Sequence, residues 1–178
     1  EFEGTVYIQG SSRPVVTVED GLEATFDNNV NLYVGWSSYG SSEIEGTSTG
    51  VTFTSAESSP AAGDWGGLNI GYYDQGSLIE GLDLSYAGDN TVGCLYVYYA
   101  DLEIIDSSVH DCDNNGLYAT GSPELLITGS DFSDNDGNGI TLTAYVELDD
   151  SSTPSFIDNT MTGNGDYPLT IAANELGQ

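Results

Sequence analysis

One phrase recurs three times in the second half of the chain, and its spacing constrains the fold more than any other feature. It runs Gly93-Cys94-Leu95-Tyr96-Val97, then Gly116-Leu117-Tyr118-Ala119-Thr120, then Gly139-Ile140-Thr141-Leu142-Thr143. Each copy follows an Asp/Asn/Gly-rich turn and precedes a second short apolar strand. The leading glycines are 23 residues apart both times. A fixed period in this range marks stacked supersecondary units, and this one fits a coil of a parallel β-helix.

Helical periodicity is almost absent. Short alternating runs such as Leu22 to Phe26, Val30 to Val34 and Val51 to Thr54 dominate, separated by Gly, Asn, Asp and Ser clusters. Period two with β-branched and aromatic residues reads as half-buried strands, and those clusters read as turns. Aligning the apolar pairs predicts one inward face of Val51/Phe53, Leu68/Ile70, Leu95/Val97, Leu117/Ala119, Ile140/Leu142 and Leu169/Ile171. A second face reads Ile79, Ile104, Ile127 and Phe156, and a third reads Leu84, Val109, Phe132 and Met161. The pattern predicts an all-β, single-stranded parallel β-helix of about five or six coils, each of about 22–26 residues. At the interstrand spacing of about 4.8 Å the rod would be about 25–30 Å long.

A single domain over residues 1–178 is expected: an N-terminal strand over 1–13 able to exchange onto a neighbour, coils over 14–172 and a tail over 173–178. An insertion from Glu147 to Thr153 reads as a loop. No signal-peptide pattern opens the chain, and Glu1 reads as the start of a processed protein. Neither end carries an amphipathic capping helix, and an open coil end is an unpaired sheet edge that invites another chain.

The charge balance excludes whole classes of partner. Against 29 acidic residues stands one basic residue, Arg13, giving a formal charge of −28. Nucleic acid binding needs Lys and Arg against phosphate, and anionic membrane surfaces are excluded by the same argument. No apolar stretch approaches the length of a membrane span. Self-repulsion favours a setting of high ionic strength or abundant divalent cations. Disorder, the other usual reading of high charge, conflicts with 11% aromatic content and strict alternation.

The block Gly50-Val51-Thr52-Phe53-Thr54-Ser55-Ala56, then Gly63-Asp64-Trp65-Gly66-Gly67-Leu68-Asn69-Ile70, with Tyr86-Ala87-Gly88 after it, resembles a known signature. It is similar to the "FTS … GDWGGI" element of secreted right-handed parallel β-helix repeat proteins of bacteria and archaea. The resemblance extends over roughly residues 14–172. It implies right-handed coils and export to the cell surface or medium, in a group that spans adhesins, filament-like appendages and carbohydrate-active enzymes. Gly66-Gly67 would allow a tight corner, with Trp65 either packed over it or free to stack on a sugar.

Three sets of residues stand out as sites. Asp111-Cys112-Asp113-Asn114-Asn115-Gly116 recurs as Asp134-Asn135-Asp136-Gly137-Asn138-Gly139. Alternate oxygens in such a string suit a hard cation, so Asp111, Asp113, Asp134, Asp136 and Asn138 form a Ca²⁺ site between coils or else simply make Asx turns. The EF-hand pattern fails at its twelfth position, which is Tyr145. Cys94 and Cys112 lie near one corner on neighbouring coils, as a disulfide or as two buried thiols. Tyr96 and Tyr118 point outward on adjacent coils with Tyr72, Tyr73, Tyr98 and Tyr99 nearby. Such a stripe, with Trp65, stacks sugars or fills an interface between subunits, unless these are ordinary sheet-surface tyrosines.

Enzyme readings are weaker. A lyase would have only Arg13, near the irregular first coil, as its basic residue, and abundant Asp pairs leave no pair specific for glycoside hydrolysis. An ice-binding face would need Thr ladders, which Asn69, Tyr96 and Tyr118 interrupt. The sequence therefore points to a non-enzymatic extracellular protein that self-associates by end-to-end β-pairing into a surface fibre or layer, with Ca²⁺ offsetting its charge. The competing reading is a monomeric adhesin or glycan-binding module, and the third is a polysaccharide-active enzyme.

Overall fold

The computed structural model describes residues 1–89, 92–121, 124–143 and 156–172, with the backbone of 147–148. Among these residues there is no helix, and every strand pair is parallel. The strands form three long sheets that run the length of a β-solenoid of about six turns.

The first sheet stacks Val6–Ile8, Asn31–Val34, Gly67–Ile70, Gly93–Tyr98, Asn115–Thr120, Ile140–Thr143 and Leu169–Ala172. The second stacks Val15–Glu19, Ser41–Glu45, Ser77–Glu80, Leu102–Ile105 and Glu124–Thr128, and the last of these pairs with both Glu147–Leu148 and Phe156–Ile157. The third stacks Glu23–Phe26, Val51–Ser55, Leu82–Ser85 and Ser108–His110. Single bridges from Ser108 to Asp131 and from Asp131 to Thr160 extend it.

Alternation along each strand fills the interior. Ile44, Ile79, Ile104 and Ile127 stack in register and are buried. Leu84 and Val109 do the same on the third sheet, with Phe132 buried beyond them. Parallel stacking at one interstrand spacing lets identical apolar positions pack into a continuous core.

The observed register corrects several expectations. Val51 and Phe53 pair with Leu82 and Leu84 on the third sheet. Their expected place on the first sheet belongs to Leu32 and Val34, which pair with Leu68 and Ile70. Gly93 pairs with Asn115, so the first repeat is 22 residues in register, whereas Leu117 pairs with Ile140, 23 residues on. In the N-terminal segment, Val6–Ile8 pairs with Asn31–Val34 of its own chain, and Phe2 stacks on Phe26 at 5.1 Å. The expected loop at Glu147 begins as a strand, Glu147–Leu148, while 149–153 and the tail over 173–178 lie outside the described residues.

Candidate functional site

The outward column of the first sheet reads Tyr7, Tyr33, Asn69, Tyr96, Tyr118, Thr141 and Thr170 in register. Tyr7 and Tyr33 stack at 5.2 Å, and Tyr96 meets Tyr118 at 5.8 Å. Asn69 breaks the aromatic run. Its side chain is buried and its Nδ2 donates to Gly67 O at 3.1 Å. A short residue between tall neighbours leaves a dip in the sheet surface.

Trp36 closes one side of that dip. The chain leaves the sheet at Gly35, and the indole folds back over Gly71, the residue just beyond the strand Gly67–Ile70. A Cβ at Gly71 would stand 2.6 Å from Trp36 Cα and 2.9 Å from its Cε3, so only glycine permits this approach. The indole then meets Tyr33 at 5.1 Å, Tyr96 at 5.8 Å and Tyr98 at 5.9 Å. The result is an open groove of about 470 Å³ walled by Tyr33, Trp36, Tyr96, Tyr98 and Tyr118, with Asn69 at its floor and Val92 and Thr120 at its edges. The only ionisable groups in the lining are phenols. Burial pushes the Tyr96 phenol above its ordinary range, with Tyr118 and Tyr98 adding to the effect. Tyr33 is raised for the same reason, with Tyr7 adding to it. These phenols therefore stay neutral and remain hydrogen-bond donors.

Aromatic contact continues from the groove around the corner toward the second sheet. Tyr98 meets Tyr99 at 4.8 Å, Tyr99 meets Tyr72 at 6.2 Å, Tyr72 meets Tyr73 at 5.1 Å, and Tyr73 meets Tyr39 at 5.6 Å. Tyr72, Tyr73, Tyr96, Tyr98 and Tyr118 thus belong to one surface, as does Tyr99.

Trp65 does not join them. It is fully buried, stacked on Phe26 with centroids 4.1 Å apart and planes 7° apart, and its Nε1 donates to Ser85 O at 2.9 Å. A ring enclosed on both faces cannot stack on a sugar, which corrects that half of the expectation for Trp65. The glycines beside it serve the corner: a Cβ at Gly66 would fall 2.0 Å from Asn31 Oδ1, and Gly67 has φ of 100°.

Among the described residues no three His, Cys, Asp or Glu side chains converge as metal ligands. Asp111 Oδ2 is engaged by His110 Nδ1 at 2.7 Å. Asp113, Asp134 and Asp136 are exposed at the corners, and Asp111 and Asp134 adopt φ of 53° and 56°, as left-handed turn residues do. Asn138 is spent inside a polar ladder. Its Nδ2 donates to Asn115 Oδ1 at 2.9 Å and its Oδ1 accepts from Tyr167 N and Thr170 Oγ1. Asn135, buried three residues earlier on the same coil, accepts from Cys112 N at 3.2 Å and donates to Val109 O. The Asx-rich string makes turns and amide ladders.

Cys94 and Cys112 form a disulfide with Cα atoms 5.7 Å apart, joining the start of a groove-bearing strand to the corner before the next one.

A family model described as a right-handed beta helix region matches residues 4–143 and, in a second placement, 38–177. The chain belongs to the right-handed β-helix family. No curated protein and no solved structure matches it. In this β-helix, Tyr33, Trp36 and Asn69 line the groove and Tyr39 ends the aromatic path, and none of the four stood out as a site residue in the sequence. Tyr33 and Asn69 are 36 residues apart in register while Tyr96 and Tyr118 are 22 apart, so a constant period does not align them. Trp36 enters from a turn and has no column of its own. The signal that existed was the density of Tyr and Trp between residues 33 and 39.

Proposed function

We propose that this β-helix is a non-enzymatic carbohydrate-binding module that holds a glycan in the Asn69 groove. The observation that carries this reading is the uncharged aromatic enclosure of Tyr33, Trp36, Tyr96, Tyr98 and Tyr118 around a floor amide. Sugars present C–H faces that pack on aromatic rings and hydroxyls that bond to amides and phenols, and this lining offers both. Nothing in the lining is charged at neutral pH, which suits a neutral sugar backbone. The disulfide supports an exported protein, because such bonds persist in oxidising compartments. The test is calorimetric titration of the chain with neutral oligosaccharides. Saturable binding that falls at least about tenfold in Tyr96→Ala would support the reading, and equal binding by wild type and variant would remove it.

A second reading, a self-associating subunit of a surface fibre, draws on the first coil. Its apolar interior opens as a recess of about 270 Å³ lined by residues such as Phe2, Val6, Ile8, Val18 and Phe26. A further stack of coils seated there would bury that surface, whether it came from a neighbour or from the same polypeptide. Sedimentation velocity over a concentration series separates the two readings. Growth in mass would favour the fibre, and a constant monomer would oppose it.

A further inference from the structure

Arg13 is the only Lys or Arg in a chain with 29 acidic residues. Among the described residues it takes part in no ion pair, since the two such contacts both belong to His110. Its guanidinium carbon instead lies 4.6 Å from the centroid of the Tyr39 ring. Tyr39 is the last ring of the path that leaves the groove through Tyr98, Tyr99, Tyr72 and Tyr73, each step between 4.8 and 6.2 Å. Arg13 is exposed, and Tyr39, Tyr72, Tyr73 and Tyr99 are all at least 37% exposed.

We infer that the groove is one end of an extended track, and that Arg13 on Tyr39 forms the other end as a subsite for a carboxylate-bearing sugar. The inference rests on the glycan reading above. Cation–π contact holds the guanidinium against the ring while leaving its N–H fork free to meet a carboxylate in two hydrogen bonds. In a chain of net charge −28, a cation kept out of every described carboxylate pair is available to an anion from outside. A polyanion would still be repelled by the molecule as a whole. The ligand that fits is therefore a largely neutral chain with one acidic sugar near an end.

The shape of the track narrows the class further. Successive rings are steeply inclined, at 80° for Tyr98–Tyr99, 90° for Tyr72–Tyr73 and 81° for Tyr39–Tyr73. A flat crystalline polysaccharide needs coplanar rings. A track that turns a corner with rings edge to face suits a single soluble chain.

The experiment titrates the whole chain with β-1,4-glucan and β-1,4-mannan hexaoses, each neutral and with one terminal sugar oxidised to the uronate. Wild type should bind the uronate form about tenfold more tightly than its neutral counterpart. Arg13→Gln should abolish that preference and leave neutral binding unchanged. Tyr72→Ala should weaken both forms. Absence of preference in wild type, or its survival in Arg13→Gln, would overturn the inference while leaving the groove intact if the neutral hexaose still binds and Tyr96→Ala still weakens it. Failure of every hexaose to bind wild type would overturn the glycan reading and this subsite together.

Discussion

His110 bonds across the coil boundary to Asp83, its Nε2 lying 2.9 Å from Asp83 Oδ1. Its other ring nitrogen lies 2.7 Å from Asp111 Oδ2, so the one histidine of the chain is clamped between two carboxylates. The hydrogen bond from Asp83 is the main cause that raises its pKa to about 9; burial opposes it and Asp111 adds to it. A folded pKa above the ordinary 6.5 means the stabilisation is fully present below about pH 6.5 and is lost as pH rises through about 9. The carboxylates are 52% and 43% exposed, which screens the pair. The contribution is therefore on the order of 2 kcal/mol. Between pH 7 and 9 the unfolding midpoint of wild type should fall relative to that of His110→Gln.

The disulfide should matter to stability and little to the groove's shape. Cys94 and Cys112 are buried and separated by 18 residues in sequence. Closing a loop of that size is worth about 3 kcal/mol through the unfolded chain. Urea denaturation of Cys94→Ser/Cys112→Ser should show a loss of about 2–4 kcal/mol, with sugar affinity retained in the folded fraction.

Trp36 holds its place because Gly71 has no side chain. Gly71→Ala puts a methyl 2.6 Å from Trp36 Cα, and the indole must move. Sugar affinity should fall by about tenfold, although residue 71 itself is not a groove wall. An unchanged affinity would mean Trp36 does not shape the site.

Trp65 is the contrasting tryptophan. Trp65→Ala empties a stack on Phe26 and strands Ser85 O, and should cost about 3–5 kcal/mol. Chemical denaturation reads that loss, and sugar affinity measured well below the melting temperature should stay as in wild type.

Particular residues show what could be read in advance. Leu95/Val97, Leu117/Ala119 and Ile140/Leu142 were legible because the strand period is two and the coils between them are nearly constant in length. Val51 and Phe53 were misplaced because the third sheet shares the same apolar alternation, and only the longer early coil distinguishes it. Tyr96, Tyr98 and Tyr118 were legible as a stripe, but the groove was not: it arises where short Asn69 interrupts a column and Trp36 folds in from a turn. The Asp-rich corners invite a metal reading because Asx turns and oxygen cages draw on the same residues. Only placement separates them, and here Asn138 and Asn135 are consumed by ladders.

The most direct test of the groove is the emission of Trp36 during titration with neutral hexaoses. Trp65 is buried away from solvent, so a change on adding sugar reports Trp36. The account predicts a saturable shift in wild type that disappears in Trp36→Phe and weakens in Tyr96→Ala. Emission that stays constant for every glucan, mannan and xylan hexaose, with no heat of binding, would contradict it.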